Sequence, residues 1–173
     1  MRGKLPQRLK RCILLDWGNT VMRVFPEFAG PMATWPRVEA VDGIAETLAS
    51  LRPGWTIALA TNADDSREDE IWSALGRAGL DGLIDRVYCL RGVGQRKSAP
   101  EYFQQVLGDL GIEPYRAVMV GDDFETDVLP ATRCGIRAIW FDEGGSENRA
   151  GAMYRTIHDL RELPETLETL IKG

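Results

Sequence analysis

The sequence predicts an α/β fold: a Rossmann-like three-layer sandwich, with a central parallel sheet of five or more strands and helices on both faces. Three observations carry this expectation. Five short apolar runs recur along the 173 residues, and runs of that kind read as strands buried on both faces. Segments with helical spacing of apolar residues alternate with them, which is the signature of a parallel sheet. Three of the runs stop at an oxygen-bearing side chain, Asp16, Thr61 and Asp122, and ligands in open α/β sheets bind just beyond the carboxyl ends of the strands.

Taken in order, CILLDWGNTV from Cys12 to Val21 is the first strand and the turn that leaves it. Gly18 and Asn19 suit a tight turn, and glycine lets the backbone approach a ligand closely. Asp16 is therefore a candidate for chemistry, though a turn or cap aspartate would look the same. The next segment, 22–41, holds Pro26, Pro31 and Pro36 and is expected to form a loop or flap without a long helix. Its aromatics Phe25, Phe28 and Trp35 suit either a cover over the site or an anchor to the core. A helix is expected from Asp42 to Leu51, stopped by Pro53-Gly54. WTIALAT, ending at Thr61-Asn62, is the second strand. Ser66 is expected to start the next helix, with acids in its first turn and Gly79 at its end. DRVYCL is the third strand. The polar loop RGVGQRKSAP carries Lys97 and leads into a helix from Pro100 to Leu110. AVMVGDD is the fourth strand, Thr126–Cys134 a helix despite Pro130, and IRAIWFD the fifth strand. YRTI suits a short edge strand, and Pro164–Ile171 a last amphipathic helix.

Composition narrows the function. At 44% hydrophobic and 27% charged residues, the chain can bury a core. Its length suits one domain, with residues 1–10 as a flexible basic tail. The net charge of -5 argues against a nucleic-acid partner. No apolar run approaches the ~20 residues that span a membrane, and the apolar stretch after the basic start is too short for a secretory signal. Cys12, Cys89 and Cys134 are odd in number and far apart, as expected of reduced thiols in a cytoplasmic protein rather than a disulfide frame or zinc site. His158 is the only histidine and reads as a surface or capping residue.

The constellation of Asp16, Thr61, Lys97 and the acids after Gly121 suits phosphoryl chemistry. Hard oxygen ligands hold Mg²⁺ through one or two carboxylates plus phosphate. A carboxylate can attack phosphorus to give an aspartyl-phosphate, and a hydroxyl and an ammonium can hold the phosphoryl oxygens. On these residues the sequence resembles the haloacid dehalogenase-like hydrolase superfamily from Cys12 to the last helix. The motifs are Asp16-Trp17-Gly18-Asn19-Thr20, IALAT ending at Thr61, Lys97 with Pro100 displaced by Ser98-Ala99, and Gly121-Asp122 with Asp127. The resemblance implies that Asp16 is the nucleophile and that Asp16, Asp122 and the Gly18 backbone carbonyl ligate Mg²⁺. It places Thr61 and Lys97 on the transferring phosphoryl group, with Thr20 and Asn62 among the substrate-binding residues. Asp127 belongs to the metal group, or steadies Lys97 or a metal-bound water; Asp123 is a further acid nearby.

One departure matters. Family phosphatases usually carry a general acid two residues after the nucleophile, where this chain has Gly18. General acid–base catalysis is typically worth ~10²–10⁴ in rate, so the expected substrates have leaving groups already stable as anions, such as aryl or acyl phosphates. Glu27, Asp64 and Asp65 are candidate replacements, each equally readable as a solvated surface acid. The intervals of about 45 residues from Asp16 to Thr61 and about 36 from Thr61 to Lys97 leave no room for the family's cap domains. The site is then open to large phosphorylated substrates, or covered by a second subunit or a partner protein. Three functions follow: a Mg²⁺-dependent phosphatase, a phosphate-binding regulatory module with weak turnover, and, ranked last, a dehalogenase.

Overall fold

The computed structural model describes residues 11–172; the expected tail at 1–10 lies outside the described residues. Six parallel strands form one sheet: β1 (Cys12–Leu15), β2 (Thr56–Thr61), β3 (Arg86–Cys89), β4 (Ala117–Gly121), β5 (Arg137–Phe141) and β6 (Tyr154–Ile157), in the order β3-β2-β1-β4-β5-β6. The YRTI segment is the edge strand the sequence suggests. After β1 the chain builds outward through β2 and β3, then returns to lay β4 on the other side of β1. The switch point between β1 and β4 is where an open sheet of this kind leaves a crevice.

Alternation along the strands sorts the core into two layers. Ile13, Leu15, Ile57, Leu59, Val118, Val120, Ile139 and Phe141 face one layer. It is covered by α1 (Ile44–Leu51), α2 (Glu68–Arg77) and α6 (Leu163–Lys172). Leu14, Ala58, Ala60, Met119 and Ala138 face the other, covered by α4 (Pro100–Leu110) and α5 (Leu129–Arg133). Small alanines on that face let α4 bring in Tyr102 and Phe103. The short α3 (Leu90–Val93) joins β3 to the Lys97 loop.

Two boundaries differ from expectation. The helix after β2 starts at Glu68, with Arg67 and not Ser66 at the cap; the Glu70 carboxylate accepts the Arg67 N–H at 2.7 Å. Ser66 instead donates its hydroxyl to Asp65. The helix expected from Thr126 begins earlier as a wide turn over Phe124–Val128 before α5. Asp123 starts it by accepting the N–H groups of Glu125 and Thr126 at 2.9 and 3.0 Å. Pro130 has no N–H to bond four residues back, which leaves the turn wide.

The segment 22–41 holds one 3₁₀ turn, Met32–Thr34. Phe25, Phe28 and Trp35 pack on each other with ring centroids 5.6–6.3 Å apart. Met32 and Trp35 reach into the core, and Arg77 of α2 donates to the Met32 and Ala33 carbonyls. These aromatics anchor the segment. Arg23 ties its start to Glu143, just after β5, through both guanidinium nitrogens. Among the described residues the cysteines are unpaired, and no helix is long and apolar enough to cross a membrane. His158 is half-buried, its Nδ1 2.8 Å from the Asp142 carbonyl oxygen.

Candidate active site

Asp16 follows β1 directly, and its N–H bonds the Val120 carbonyl of β4 at 2.9 Å. Its place is thus set by the sheet ladder before the chain turns away. Asp122 follows β4 on the neighbouring strand. Thr20 donates its hydroxyl to Asp122 Oδ1 at 3.3 Å, and the Trp140 indole donates to the Asp122 carbonyl at 2.9 Å. Thr61 is the last residue of β2, on the other side of β1; it is buried, and its hydroxyl accepts the Ala63 N–H at 3.0 Å.

Lys97 reaches this edge from its loop. Asn62 Oδ1 accepts the Lys97 N–H at 2.8 Å, which fixes the backbone there. The side chain is only 1% exposed, and its Nζ donates to Asp16 Oδ1 at 2.6 Å and Asp127 Oδ1 at 2.5 Å. Asp127, also 1% exposed, accepts the Asp123 N–H on its other oxygen at 3.2 Å. Gly121 makes this possible: a Cβ there would lie 2.6 Å from the Asp127 Cβ and overlap its carboxylate. The Gly-Asp pair at the end of β4 is therefore a steric requirement, with the glycine giving Asp127 its seat.

Asp16, Asp122 and Asp127 each bring a carboxylate oxygen within 4.8 Å of the others. Against them stands one ammonium, Lys97. Burial pulls the Lys97 ammonium down, but the charges of Asp16 and Asp127 outweigh it and its pKa ends raised. The surplus of negative charge falls on the other two acids. Burial and then the Asp16 charge push Asp122 up to about 6. The same two causes push Asp127 up to about 7, against the pull of Lys97. Lys97 and Asp127 move the same way because three carboxylates share one cation, and we take the charged lysine as the fixed point. A donor set made wholly of hard oxygens with uncompensated negative charge fits Mg²⁺.

The turn after Asp16 holds Asn19 in the left-handed region, at φ 56°. Asn19 Oδ1 accepts the Val24 N–H at 3.1 Å, and Gly18 bridges to Met22. A Cβ on Gly18 would stand 2.8 Å from Val24 Cγ2, with Val24 itself 39% exposed. The position two residues after Asp16 thus has an apolar neighbour where a side chain would go. Sequence reasoning missed Val24; its signal is only one of three valines in a proline-rich segment.

The structure bonds Lys97 to Asp16 and Asp127 and bonds Thr20 to Asp122, the three carboxylates lie side by side, and Asn62 joins through the Lys97 backbone. Thr61 and Gly18 lie on the flanking strand end and turn. The candidate replacement acids are engaged elsewhere: Glu27 with Arg37, Asp64 with Arg96, and Asp65 with Ser66. The Asp123 carboxylate caps the turn that follows it.

Fold and site together define an α/β core with a carboxylate–lysine centre at the switch point of a parallel sheet. Residues 10–135 match the haloacid dehalogenase-like hydrolase family, and the chain belongs to it. It is 28% identical over 133 residues to glyceraldehyde 3-phosphate phosphatase from Pyrococcus furiosus, a match covering 75% of this chain and 54% of that one. It is 34% identical over 113 residues to phosphoserine phosphatase from Thermus thermophilus, covering 65% and 44%. The chain thus spans about half the length of the curated relatives it matches. A crystal structure of an uncharacterized protein from Listeria monocytogenes serotype 4b superposes with a TM-score of 0.81 at 27% identity, covering 94% of this chain and 99% of that one.

Proposed function

We propose that the chain is a Mg²⁺-dependent phosphatase that forms an aspartyl-phosphate on Asp16. The observation that carries this reading is the convergence of Asp16, Asp122 and Asp127 around Lys97 at the ends of β1 and β4. The relatives named above act on phosphomonoesters, which supports the substrate class. Asp16, Asp122 and the Gly18 carbonyl would hold the ion, with Asp127 completing the group while holding Lys97. When bound, Mg²⁺ supplies charge neutralisation and polarises phosphoryl oxygens.

The chain's own residues do the rest. An Asp16 oxygen attacks phosphorus, the ester P–O bond breaks, and the leaving oxygen departs with the electron pair. Lys97, pinned by Asp127, and Thr61 hold the phosphoryl oxygens as charge redistributes. Thr20 orients Asp122, and Asn62 orients the Lys97 loop. Water then cleaves the aspartyl-phosphate and frees phosphate. Gly18 brings no acid to the leaving oxygen, so the favoured substrates are aryl or acyl phosphates. The interval from Asp16 to Thr61 holds one 3₁₀ turn, α1 and β2, and that from Thr61 to Lys97 holds α2, β3, α3 and one 3₁₀ turn. We read the chain as a core without a lid domain, open to large substrates or covered by a second subunit or a partner.

A second reading, a phosphate-binding module with slow turnover, draws support from Val24 beside Gly18. Hydrolysis of p-nitrophenyl phosphate with Mg²⁺ by the wild type and by Asp16→Asn tests the choice. Turnover lost in Asp16→Asn supports the phosphatase; equal rates in the two proteins overturn it.

A further inference from the structure

The stretch that leads from β3 to Lys97 carries two arginines, and both turn to the same residue. Arg91, in α3, donates its Nε–H to the Asp64 carbonyl at 2.8 Å. Arg96, the residue before Lys97, donates to an Asp64 carboxylate oxygen at 3.3 Å. Asp64 follows closely on Thr61, the end of β2, and on Asn62, whose side chain holds the Lys97 N–H. The Arg96 carbonyl accepts the Ala99 N–H at 2.9 Å, so a turn fixes the backbone on its other side. Arg96 therefore stands at the catalytic end of the sheet, over the loop that leaves Thr61. Consecutive Cα atoms lie about 3.8 Å apart, which keeps it next to the residue that bonds Asp16.

The two contacts differ in kind. Arg91 takes a backbone carbonyl and ties the two loops together. Arg96 makes a single bond between side chains that are 54% and 71% exposed. Ion pairs so open to water contribute little, because solvent screens them and both side chains lose freedom. A guanidinium carries five donors and grips a carboxylate best through two parallel bonds. Arg96 can thus exchange one weak contact for two good ones. On the β5 side of the crevice Arg23 is already committed to Glu143 through two nitrogens. On a core read without a lid domain, side chains on these loops are what meets a leaving group outside the phosphoryl pocket.

We infer that Arg96 grips a carboxylate on the leaving group, so that the substrate is an aryl or acyl phosphate bearing a carboxylate. The inference rests on the phosphatase reading for the seat of the phosphoryl group beside Lys97. A carboxylate fits better than a second phosphate, because Asp64 stays beside Arg96 and repels a dianion more than a monoanion. Neutralising Arg96 removes a bidentate charge-assisted contact and weakens binding of such a substrate by about tenfold or more.

Isothermal titration with Mg²⁺ at constant ionic strength reads this on Asp16→Asn, which binds without turning over. The ligands are phenyl phosphate and 3-carboxyphenyl phosphate, which differ by the carboxylate alone. Arg96→Gln and Asp64→Asn are each added to the Asp16→Asn background. Both break the Arg96–Asp64 pair, but only Arg96→Gln removes the guanidinium. The expected result is binding of 3-carboxyphenyl phosphate at least tenfold tighter than of phenyl phosphate, an advantage lost with Arg96→Gln and kept with Asp64→Asn. Equal affinities, binding of neither ligand, or an advantage that survives Arg96→Gln overturns the inference. An advantage lost in both variants would assign it to the loop clasp and overturn it equally. Turnover of the same two compounds by the wild type separates the two readings: the binding advantage without turnover overturns the phosphatase and leaves the carboxylate contact standing.

Discussion

The Lys97 ammonium sits 2.6 Å from the Asp16 carboxylate while its other side is held at 2.5 Å by Asp127, and the lysine is 1% exposed. A buried cation in that position is a structural group in its own right. Removing one partner of a buried pair leaves the other charge uncompensated, at a cost of about 3–5 kcal/mol. Lys97→Met is expected to lower the stability read by urea unfolding by about 3 kcal/mol and to abolish turnover. Lys97→Met/Asp127→Leu is expected to recover part of the stability and none of the turnover.

Gly121 predicts a second, purely steric effect. Because a Cβ there would fall on Asp127, Gly121→Ala must push Asp127 off Lys97. Phosphatase activity is expected to drop by at least tenfold, with a loss of stability of about 1–3 kcal/mol from overpacking. Unchanged kinetics would show that Asp127 need not hold Lys97.

Val24 and Gly18 set a conditional prediction. Gly18→Asp alone must displace Val24 Cγ2 and is expected to gain little. Gly18→Asp/Val24→Ala opens the seat, and activity toward an alkyl phosphomonoester is expected to rise by about 10²-fold or more, the scale of general acid catalysis. In the wild type, kcat/KM across a series of aryl and alkyl phosphates is expected to fall steeply as the leaving-group pKa rises. A flat dependence would mean that another group protonates the leaving oxygen.

The raised acids predict how metal-free stability depends on pH. Asp122 and Asp127 titrate near about 6 and about 7 in the folded chain, against 3.8 for an ordinary aspartate. Between those values the folded state holds protons that the unfolded chain has released. The contribution of these groups to stability is therefore greatest at low pH and is lost as pH rises through about 7. In EDTA, thermal unfolding of the wild type relative to Asp122→Asn is expected to worsen from pH 5 to pH 8. Added Mg²⁺ is expected to raise the wild-type Tm more at pH 8 than at pH 5. A difference between the two proteins that is flat with pH would contradict this.

Much of the site was legible because its groups end apolar runs. Asp16, Thr61 and Asp122 stand at adjacent strand ends, and once the runs read as a parallel sheet their neighbourhood follows. Lys97 was legible only through its resemblance, since nothing local shows that a loop lysine will be buried. Val24 was invisible because its position depends on the left-handed turn at Asn19 and the hydrogen bond back to it. The wide turn at Phe124–Val128 was hidden for a related reason: Asp123 and Pro130 compete over where the helix begins.

The central claim is that Asp16 carries the phosphoryl group during turnover. The direct measurement is acid quenching of the protein during hydrolysis of acetyl phosphate with Mg²⁺, followed by mass mapping of its peptides. A phosphoryl adduct on the peptide containing Asp16, absent in EDTA and in Asp16→Asn, is the predicted result. Sustained turnover with the adduct on a different residue, or undiminished in Asp16→Asn, would contradict it.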